Sequence, residues 1–455
     1  MSLTRTAGNI FTSPTFRALT LGFLSLLLLI PLGSVHRLIT ERQGLRAAAA
    51  ASIAAGWGGA QTVLGPVLVL ELACDWKDTD GKVQELRRLA TRLPATLDID
   101  GISKTETRRR GLHVLPIYRA TLKTRFSIDM SADGLLESEC DGARLRAASI
   151  ALAVTDPRGI DRLSALSVDG RSIEWIPGNP LGSEWATGVQ APLPVAMLAG
   201  ASGRIALSFE LELRGSDRLA IAPSGGQTTV HLRSDWRSPS FDGAFLPATS
   251  DLRDDGFDAA WTVSELARPL PSLSLGDPPS ALAAAAFGVT WFQPADSYLM
   301  TERSLKYGFL FIFLTFLTFF LFEQSGTRRV HPLQYGLVGG ALAVFFLLLL
   351  SLTERIGFGV AYFVAAAATT AQVTLYGRAL LESGRRVFVL AAVVGTLYLG
   401  LFLLVGLEET ALLAGSIALF GVLAIAMWLT RDLGRSLAAD PAGPPPAAGG
   451  AALRL

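Results

Sequence analysis

Charge is missing from this chain in blocks of membrane length. Six stretches are almost free of Asp, Glu, Lys and Arg: 18–35, 305–322, 332–352, 357–376, 387–406 and 410–429. A helix needs about 20 apolar residues to cross a hydrocarbon core of about 30 Å, since each residue rises about 1.5 Å. The second block is the shortest, because only Tyr307–Phe322 is uncharged. Lys306 is expected at the interface, snorkelling its ammonium into the headgroups. Glu302, four residues earlier, stands in the favourable order for a helix-surface pair.

Only 17% of the residues are charged, against about 25% in ordinary soluble domains. The deficit is concentrated in those blocks, and residues 36–304 read as a normal soluble domain. This pattern excludes a soluble cytosolic enzyme and a single-pass anchor. A net charge of +1 gives no footprint for a polyelectrolyte, so no nucleic-acid partner is expected.

No small-residue cleavage site closely follows Val35, where His36, Arg37 and Leu38 come next. The first block therefore reads as an uncleaved anchor rather than a removed signal peptide. Orientation follows from arginine placement. With residues 1–17 inside, Arg5, Arg17, Arg328, Arg329, Arg378, Arg385, Arg386, Arg431 and Arg435 all fall on the inner side. Both termini are then cytoplasmic and residues 36–304 are translocated, which in a bacterial inner membrane means the periplasm. The tail, 431–455, ends in a Pro-, Ala- and Gly-rich stretch that cannot bury a core and is expected to be disordered.

Within 36–304, Leu38–Ala55 has helical character and extends the first membrane helix, until Gly56–Gly59 breaks it. Beyond it come strand-like runs: Thr62–Leu72, His113–Leu122, Thr124–Met130, Leu145–Val154, Arg204–Leu213, Thr228–Arg233 and Ala259–Ser264. Several alternate apolar and polar residues, the mark of a strand with one wet face. Asp80-Gly81, Asp133-Gly134, Asp169-Gly170 and Asp242-Gly243 mark turns, and Lys82–Leu93 reads as a helix. The fold class is thus a membrane protein with an N-terminal anchor, a β-rich, sandwich-like α+β ectodomain and a C-terminal five-helix bundle.

The two cysteines, Cys74 and Cys140, both lie in the exported part. An oxidising compartment permits a disulfide between them, and two separate buried thiols are the alternative.

The chain carries few recognisable chemical motifs. G-x-S-x-G, Walker A, H-E-x-x-H and C-x-x-C motifs are absent, and there are only four histidines, His36, His113, His231 and His331. No cofactor and no metal are expected. Three features stand above background. Trp57-Gly58-Gly59-Ala60-Gln61-Thr62 sets glycines beside an aromatic, where a ligand could approach the backbone; a helix-to-strand turn packed under Trp57 is the blander account. Arg108-Arg109-Arg110-Gly111 could grip phosphates outside the membrane, or be a solvated charge run before a turn. Glu302, Arg303 and Lys306 open the C-terminal helices, with Glu323, His331 and Glu354 also at helix ends. Near mid-span the polar residues are Thr369, Thr370, Gln372 and Thr374, with no carboxylate, which argues against an ion-coupled pump. The Phe-rich run Phe309–Phe322 reads as a lipid-facing surface.

Together these segments resemble the CreD family, inner-membrane proteins linked to the Cre regulon and to colicin tolerance. The likeness is carried by Ile39-Thr40-Glu41-Arg42-Gln43, by Gly56–Thr62 leading to Gly65-Pro66-Val67-Leu68-Val69, and by Arg109-Arg110-Gly111 with Val114-Leu115-Pro116-Ile117-Tyr118. It continues in Phe241–Pro247 and Gly256–Trp261. It is densest in Thr301–Tyr307, the Phe-rich helix to Glu323, and His331-Pro332-Leu333-Gln334-Tyr335. The resemblance implies a role in envelope integrity and in a response to detergent, colicin or β-lactam stress, and it brings no catalytic residues.

The expectation is therefore a non-enzymatic membrane protein whose ectodomain binds or senses a periplasmic or membrane partner not identified by sequence. Trp57, Gln61, Arg109, Arg110, Glu302, Arg303 and Lys306 are the binding candidates. The alternative is a transporter or permease component for lipid-like cargo, with Gln372 and its threonines as polar lining. A third class, an envelope hydrolase or transferase, would need a spatial cluster that sequence hides. Beyond the bilayer itself, partner and oligomeric state stay open.

Overall fold

A computed structural model describes residues 14–430 apart from 78–82, 112, 130–143, 180, 183–186, 200–202, 277, 279, 292–296, 325–329, 382 and 408–409. It divides into two compact units, Arg42–Pro294 and the pair of segments Met1–Glu41 and Ala295–Leu455. The described part opens with α1 (Pro14–Leu27) and α2 (Leu29–Trp57), and within the helical stretch Leu19–Trp57 lies a window apolar and long enough to cross a membrane. The helix thus runs well past the expected end of the span at 35, through the alanine-rich stretch.

The β-unit is a two-sheet sandwich. Its elements are β1 (Gln61–Lys77), β2 (Val83–Arg92), β3 (Thr96–Arg110), β4 (His113–Asp129), β5 (Arg144–Val154), β6 (Ile160–Leu163), β7 (Leu166–Val168), β8 (Arg171–Ile173), β9 (Ile176–Pro177) and β10 (Gly188–Leu193). Then come α3 (Val195–Ala199), β11 (Arg204–Ser216), β12 (Arg218–Ile221), β13 (Gln227–Ser234), β14 (Pro239–Gly243), β15 (Thr249–Arg253), β16 (Gly256–Ser264), β17 (Leu273–Leu275), α4 (Ala281–Ala284) and β18 (Phe287–Trp291). One sheet runs β14-β18-β12-β1-β5-β10-β9, with β2 on β1 and β17 on β2. The other runs β15-β16-β13-β3-β4-β11-β7-β8, with β6 on β11. The pairs β1–β12 and β3–β13 are parallel.

Hydropathy patterns explain which faces are covered. In β11 buried and half-buried residues alternate, as expected of a strand with one face in the core. In β1, Val67 to Leu70 are all buried. Leu68 and Leu70 face the inter-sheet core with Leu97, Leu122, Ile150 and Trp261. Val67 and Val69 face a second cluster with Ala151, Ala220 and Leu282 of α4. A strand covered on both sides needs a continuous apolar run. At the Asp169-Gly170 turn both φ angles are positive, 46° and 82°, the conformation that joins β7 and β8 in register.

The helical unit continues with α5 (Ser297–Lys306), α6 (Gly308–Gln324), α7 (Pro332–Ile356), α8 (Phe358–Leu380), α9 (Gly384–Gly406) and α10 (Ala411–Thr430). Among the described residues, Pro332–Ile356, Phe358–Leu380 and Gly384–Gly406 are long and apolar enough to cross a membrane, and Tyr298–Lys306 with Gly308–Glu323 form a pair bent by 45°. The bend falls at Tyr307, beside Lys306. Its neighbour Gly308 has no side chain, and an added Cβ would stand 2.9 Å from Phe346. The sequence places these spans at 305–322, 332–352, 357–376, 387–406 and 410–429.

Three readings are corrected. Lys82–Leu93 is not a helix: Val83–Arg92 is strand β2, held rung by rung against β1 from Lys77↔Val83 to Leu68↔Arg92. Asp242-Gly243 is not a turn but the end of β14, paired with β18; Gly243 is required there because a Cβ would lie 2.3 Å from the Ala286 carbonyl oxygen. The Phe-rich helix is not simply lipid-facing: Phe316 and Phe319 are buried, edge-on to Tyr335 at 5.7 and 6.1 Å, while Phe309 and Phe313 are exposed. Cys140 and the expected tail 431–455 lie outside the described residues, as do the turns at Asp80-Gly81 and Asp133-Gly134. The expected Cys74–Cys140 pairing therefore also lies outside the described residues.

Candidate functional site: an arginine-ringed tryptophan

The site is built where helix becomes strand. The Gly58 amide closes the last turn of α2 on the Ala54 carbonyl at 2.8 Å. Gly58 then takes φ 133°, and an added Cβ would meet the Arg214 carbonyl oxygen at 2.7 Å. Only glycine fits both demands. Ser216 of β11 donates its hydroxyl to the Gly58 carbonyl at 3.0 Å and its amide to the Gly59 carbonyl at 3.1 Å.

Gln61 opens β1 and is fully buried. Its Nε2 donates to the carbonyls of Asp156 (3.0 Å) and Arg214 (3.1 Å), and its Oε1 accepts from the Asp156 amide at 3.1 Å. One side chain thus bonds three backbone groups, two on Asp156 in the turn after β5 and one on Arg214 of β11. Asp156 accepts from the Gly59 amide at 3.0 Å and takes the Arg158 guanidinium in a fork at 2.8 and 2.9 Å. The Arg158 guanidinium, aided by the backbone donors of Gly59 and Arg158, holds this carboxyl below the usual aspartate range. Arg158 also donates to the Ala55 carbonyl at 3.0 Å, placing a cation at the C-terminal end of α2, where the helix dipole favours one.

Trp57 stands over this joint with its indole N–H aimed at the Tyr118 carbonyl at 3.4 Å. Three guanidiniums surround its ring: Arg108 at 5.0 Å, Arg214 at 5.1 Å and Arg119 at 5.7 Å from the centroid. All lie within cation–π range, about 6 Å. Asp161 bridges Arg119 and Arg214, at 3.6 Å from the latter's Nε. That Nε is buried and makes no hydrogen bond. Sheet register adds a fourth cation, since Lys104 sits opposite Arg119 and Arg119 opposite Arg214 on three neighbouring strands. Like charges directly opposite destabilise a sheet, so this row persists against its own repulsion. Beneath it Tyr118 stacks on Trp291 at 4.1 Å and donates to the Arg218 carbonyl at 2.8 Å. Burial holds the Tyr118 phenol well above its ordinary pKa, so it stays a donor.

The sequence candidates are placed as follows. Trp57 is the centre of the cluster and Gln61 is its internal brace. Of the arginine run, Arg108 reaches the tryptophan. Arg109 and Arg110 are exposed near the β3–β4 turn, with Arg110 opposite His113. Alternation along β3 puts Arg110 on the side of Arg108 and Arg109 on the other. Arg119, Arg214, Asp156, Arg158 and Asp161 were not singled out from sequence. Arg119 and Arg214 are lone cations at outward positions of alternating strands, a signal too common to select them.

Glu302, Arg303 and Lys306 belong to the helical unit, where Lys306 pairs with Glu302 at 3.3 Å. Thr369 is buried, Thr370 and Thr374 line an open groove between α8 and α9, and Gln372 is exposed outside it. The His331-Pro332-Leu333-Gln334 motif is a helix start. His331 Nδ1 accepts from the Leu333 amide at 3.2 Å and Gln334 Oε1 accepts from the His331 amide at 2.8 Å, a capping box with proline in the first turn.

A second polar group sits on the same sheet. His231 Nε2 lies 2.5 Å from Asp258, and Asp100 faces both His231 Nδ1 at 3.6 Å and Arg233 at 3.1 Å. These residues occupy a half-exposed sheet face and line none of the cavities described. The void between the sheets near Leu68 and Ile128 holds only about 10 Å³. Among the described residues no group of three His, Cys, Asp or Glu is placed to hold a metal ion.

The family model for inner membrane protein CreD matches residues 13–434. The inner membrane protein CreD of Escherichia coli (strain K12) is 32% identical over 426 residues, which cover 92% of this chain and 94% of that protein. Among solved structures, an M1 zinc metallopeptidase from Deinococcus radiodurans bound to a Tyr-Ser-Ala substrate overlaps 46% of this chain and 52% of its own. That overlap has 12% identity and a TM-score of 0.18, too weak to bear on fold or chemistry. An apolar N-terminal helix, a two-sheet β-domain and apolar C-terminal helices, matched nearly end to end by the family model, make this chain a member of the CreD family of inner membrane proteins.

Proposed function

We propose that the β-domain is a periplasmic receptor face for an anionic envelope ligand, and that through it the protein supports envelope integrity under detergent, colicin or β-lactam stress. The observation that carries this reading is the arginine ring. Three guanidiniums converge on one half-exposed tryptophan, a lysine stands in register with two of them, and Asp161 is the carboxylate bridging that row. Such a face suits phosphate or carboxylate groups, which a guanidinium meets with paired N–H donors. The void near Leu68 and Ile128 holds only about 10 Å³, whereas the arginine ring lies on the outer face of its sheet, where an anion can reach it. The apolar helices that precede and follow the domain in the sequence anchor the chain in the membrane, with both termini cytoplasmic. No bond-making step is assigned to the site.

The test is binding of a labelled short polyphosphate to the full-length protein in neutral detergent. Binding should weaken as salt rises, and Arg119→Gln with Arg214→Gln should weaken it by about tenfold or more, the scale of one lost charged contact. Equal binding by wild type and the double variant would refute the receptor face.

Lipid transport, a second reading, is favoured by the groove that Thr370 and Thr374 line. Gln372 lies outside that groove, and the variant that would test transport is therefore Thr374→Val rather than a change at Gln372.

A further inference from the structure

Helices α8 and α9 leave an open groove of about 670 Å³, within the roughly 300–1,000 Å³ range of small-ligand sites. Tyr362 and Tyr398, both buried, form its floor, and Ala367, Ala371 and Gly395 keep it open. Along one stripe of α8 run Thr370, Thr374 and Arg378, four residues apart and all lining the groove. Four-residue spacing stacks side chains turn over turn on one helix face. Thr315 and Thr318 of α6 turn their hydroxyls back onto carbonyls four residues earlier, at 2.8 and 2.9 Å. Thr370 and Thr374 make no such bond, and no carboxylate among the described residues pairs with Arg378.

We infer that this groove holds one acyl chain of an anionic phospholipid, with the lipid phosphate against Arg378. The dimensions agree. Arg378 lies in the last turn of α8, at the depth of the headgroups. From Arg378 to Tyr362 the helix rises roughly 24 Å, so the groove spans the roughly 15 Å of one leaflet's hydrocarbon and about 9 Å more, shared between the headgroup level and the far side of the mid-plane. Thr374 lies four residues, about 6 Å, inward from Arg378, at the depth of the ester groups. The helix dipole accounts for a cation near the end of α8, but not for an open channel leading from it or for two unbonded hydroxyls along that channel.

Small residues also favour helix–helix packing in membranes. A second copy is disfavoured here by symmetry. A two-fold axis along the membrane normal would set Arg378 against Arg378 at one depth, with no described carboxylate to separate them. An anionic lipid supplies the missing charge. This inference does not depend on the receptor face of the β-domain.

The test is native mass spectrometry of the full-length protein after equilibration with mixed phosphatidylglycerol and phosphatidylethanolamine. Wild type should retain phosphatidylglycerol in preference. Arg378→Gln should reduce that preference by about tenfold, and Arg378→Lys should keep it. Gly395→Leu should fill the groove and lower retention of both lipids without harming the helix, because nothing lies within 4 Å of an added Cβ there. Unchanged preference in Arg378→Gln, or undiminished lipid in Gly395→Leu, would overturn the inference. So would a dimer in wild type that Gly395→Leu dissolves while lipid retention stays the same.

Discussion

Gln61 and Gly159 are closed against each other: a Cβ on Gly159 would stand 2.2 Å from Gln61 Nε2 and 2.3 Å from the Arg214 carbonyl oxygen. The buried amide can reach the backbone of Asp156 and Arg214 only because residue 159 has no side chain. Gly159→Ala should therefore expel the Gln61 amide and cost about 1–3 kcal/mol for overpacking. Gln61→Leu keeps the volume but removes three hydrogen bonds; the Asp156 carbonyl keeps the Gly159 amide at 3.0 Å, whereas the Asp156 amide loses the Gln61 acceptor, at about 1–3 kcal/mol for an unsatisfied group. Chemical unfolding of the full-length protein in detergent, followed by tryptophan fluorescence, measures both. A loss for Gly159→Ala no larger than that of an exposed Gly→Ala change would contradict this packing.

Asp156 gives the joint a dependence on pH. Its folded-state pKa is depressed, chiefly by Arg158. A depressed carboxyl adds stability above its unfolded pKa, about 3.9, and loses it as pH falls through the folded value. Wild type should lose stability on acidification below about pH 4, and Asp156→Asn should show less of that loss while being weaker at neutral pH. Parallel acid titrations of the two proteins would show whether the difference closes as expected.

Lys104 lies opposite Arg119 on the cationic row. Removing it relieves like-charge repulsion, so Lys104→Gln should stabilise the protein by about 0.2–1 kcal/mol and weaken anion binding at low salt. A variant that is less stable would show that Lys104 braces the sheet rather than extending the binding face.

In the helical unit, Gly339 lets Leu28, at the break between α1 and α2, and Phe316 of α6 approach α7. An added Cβ would lie 2.2 Å from Leu28 and 2.7 Å from Phe316. Gly339→Ala should lower stability by about 1–3 kcal/mol, read as a reduced melting temperature in detergent, whereas Gly340→Ala, in open space, should not.

Blocks empty of charge and strands with alternating residues are local patterns, so the helices and β11 could be read directly. Lys82–Leu93 misled because Val83, Leu86 and Leu89 recur every third residue, as on a helix face; the ladder to β1 decides the outcome, and it lies outside that window. The site shows the same limit. Trp57 and Gln61 stand out beside their glycines, but Arg119 and Arg214 meet only through the β4–β11 register, which runs from Asp129↔Arg204 to Ile117↔Ser216. The arginine run points to the right hairpin, while pleat alternation and position select Arg108 rather than Arg109. The histidine in His331-Pro332 is legible as a motif, yet its work as a cap depends on backbone amides that no residue pattern displays.

The most direct test of the receptor reading is complementation of a strain that lacks this protein, scored as survival in detergent and β-lactam. Wild type is compared with Arg119→Gln/Arg214→Gln at equal, folded membrane levels. The arginine-ring account predicts that the double variant fails to protect, although its helices and its Gln61 brace are untouched. Full protection by the double variant would contradict it and would move the working part of the protein to the helices.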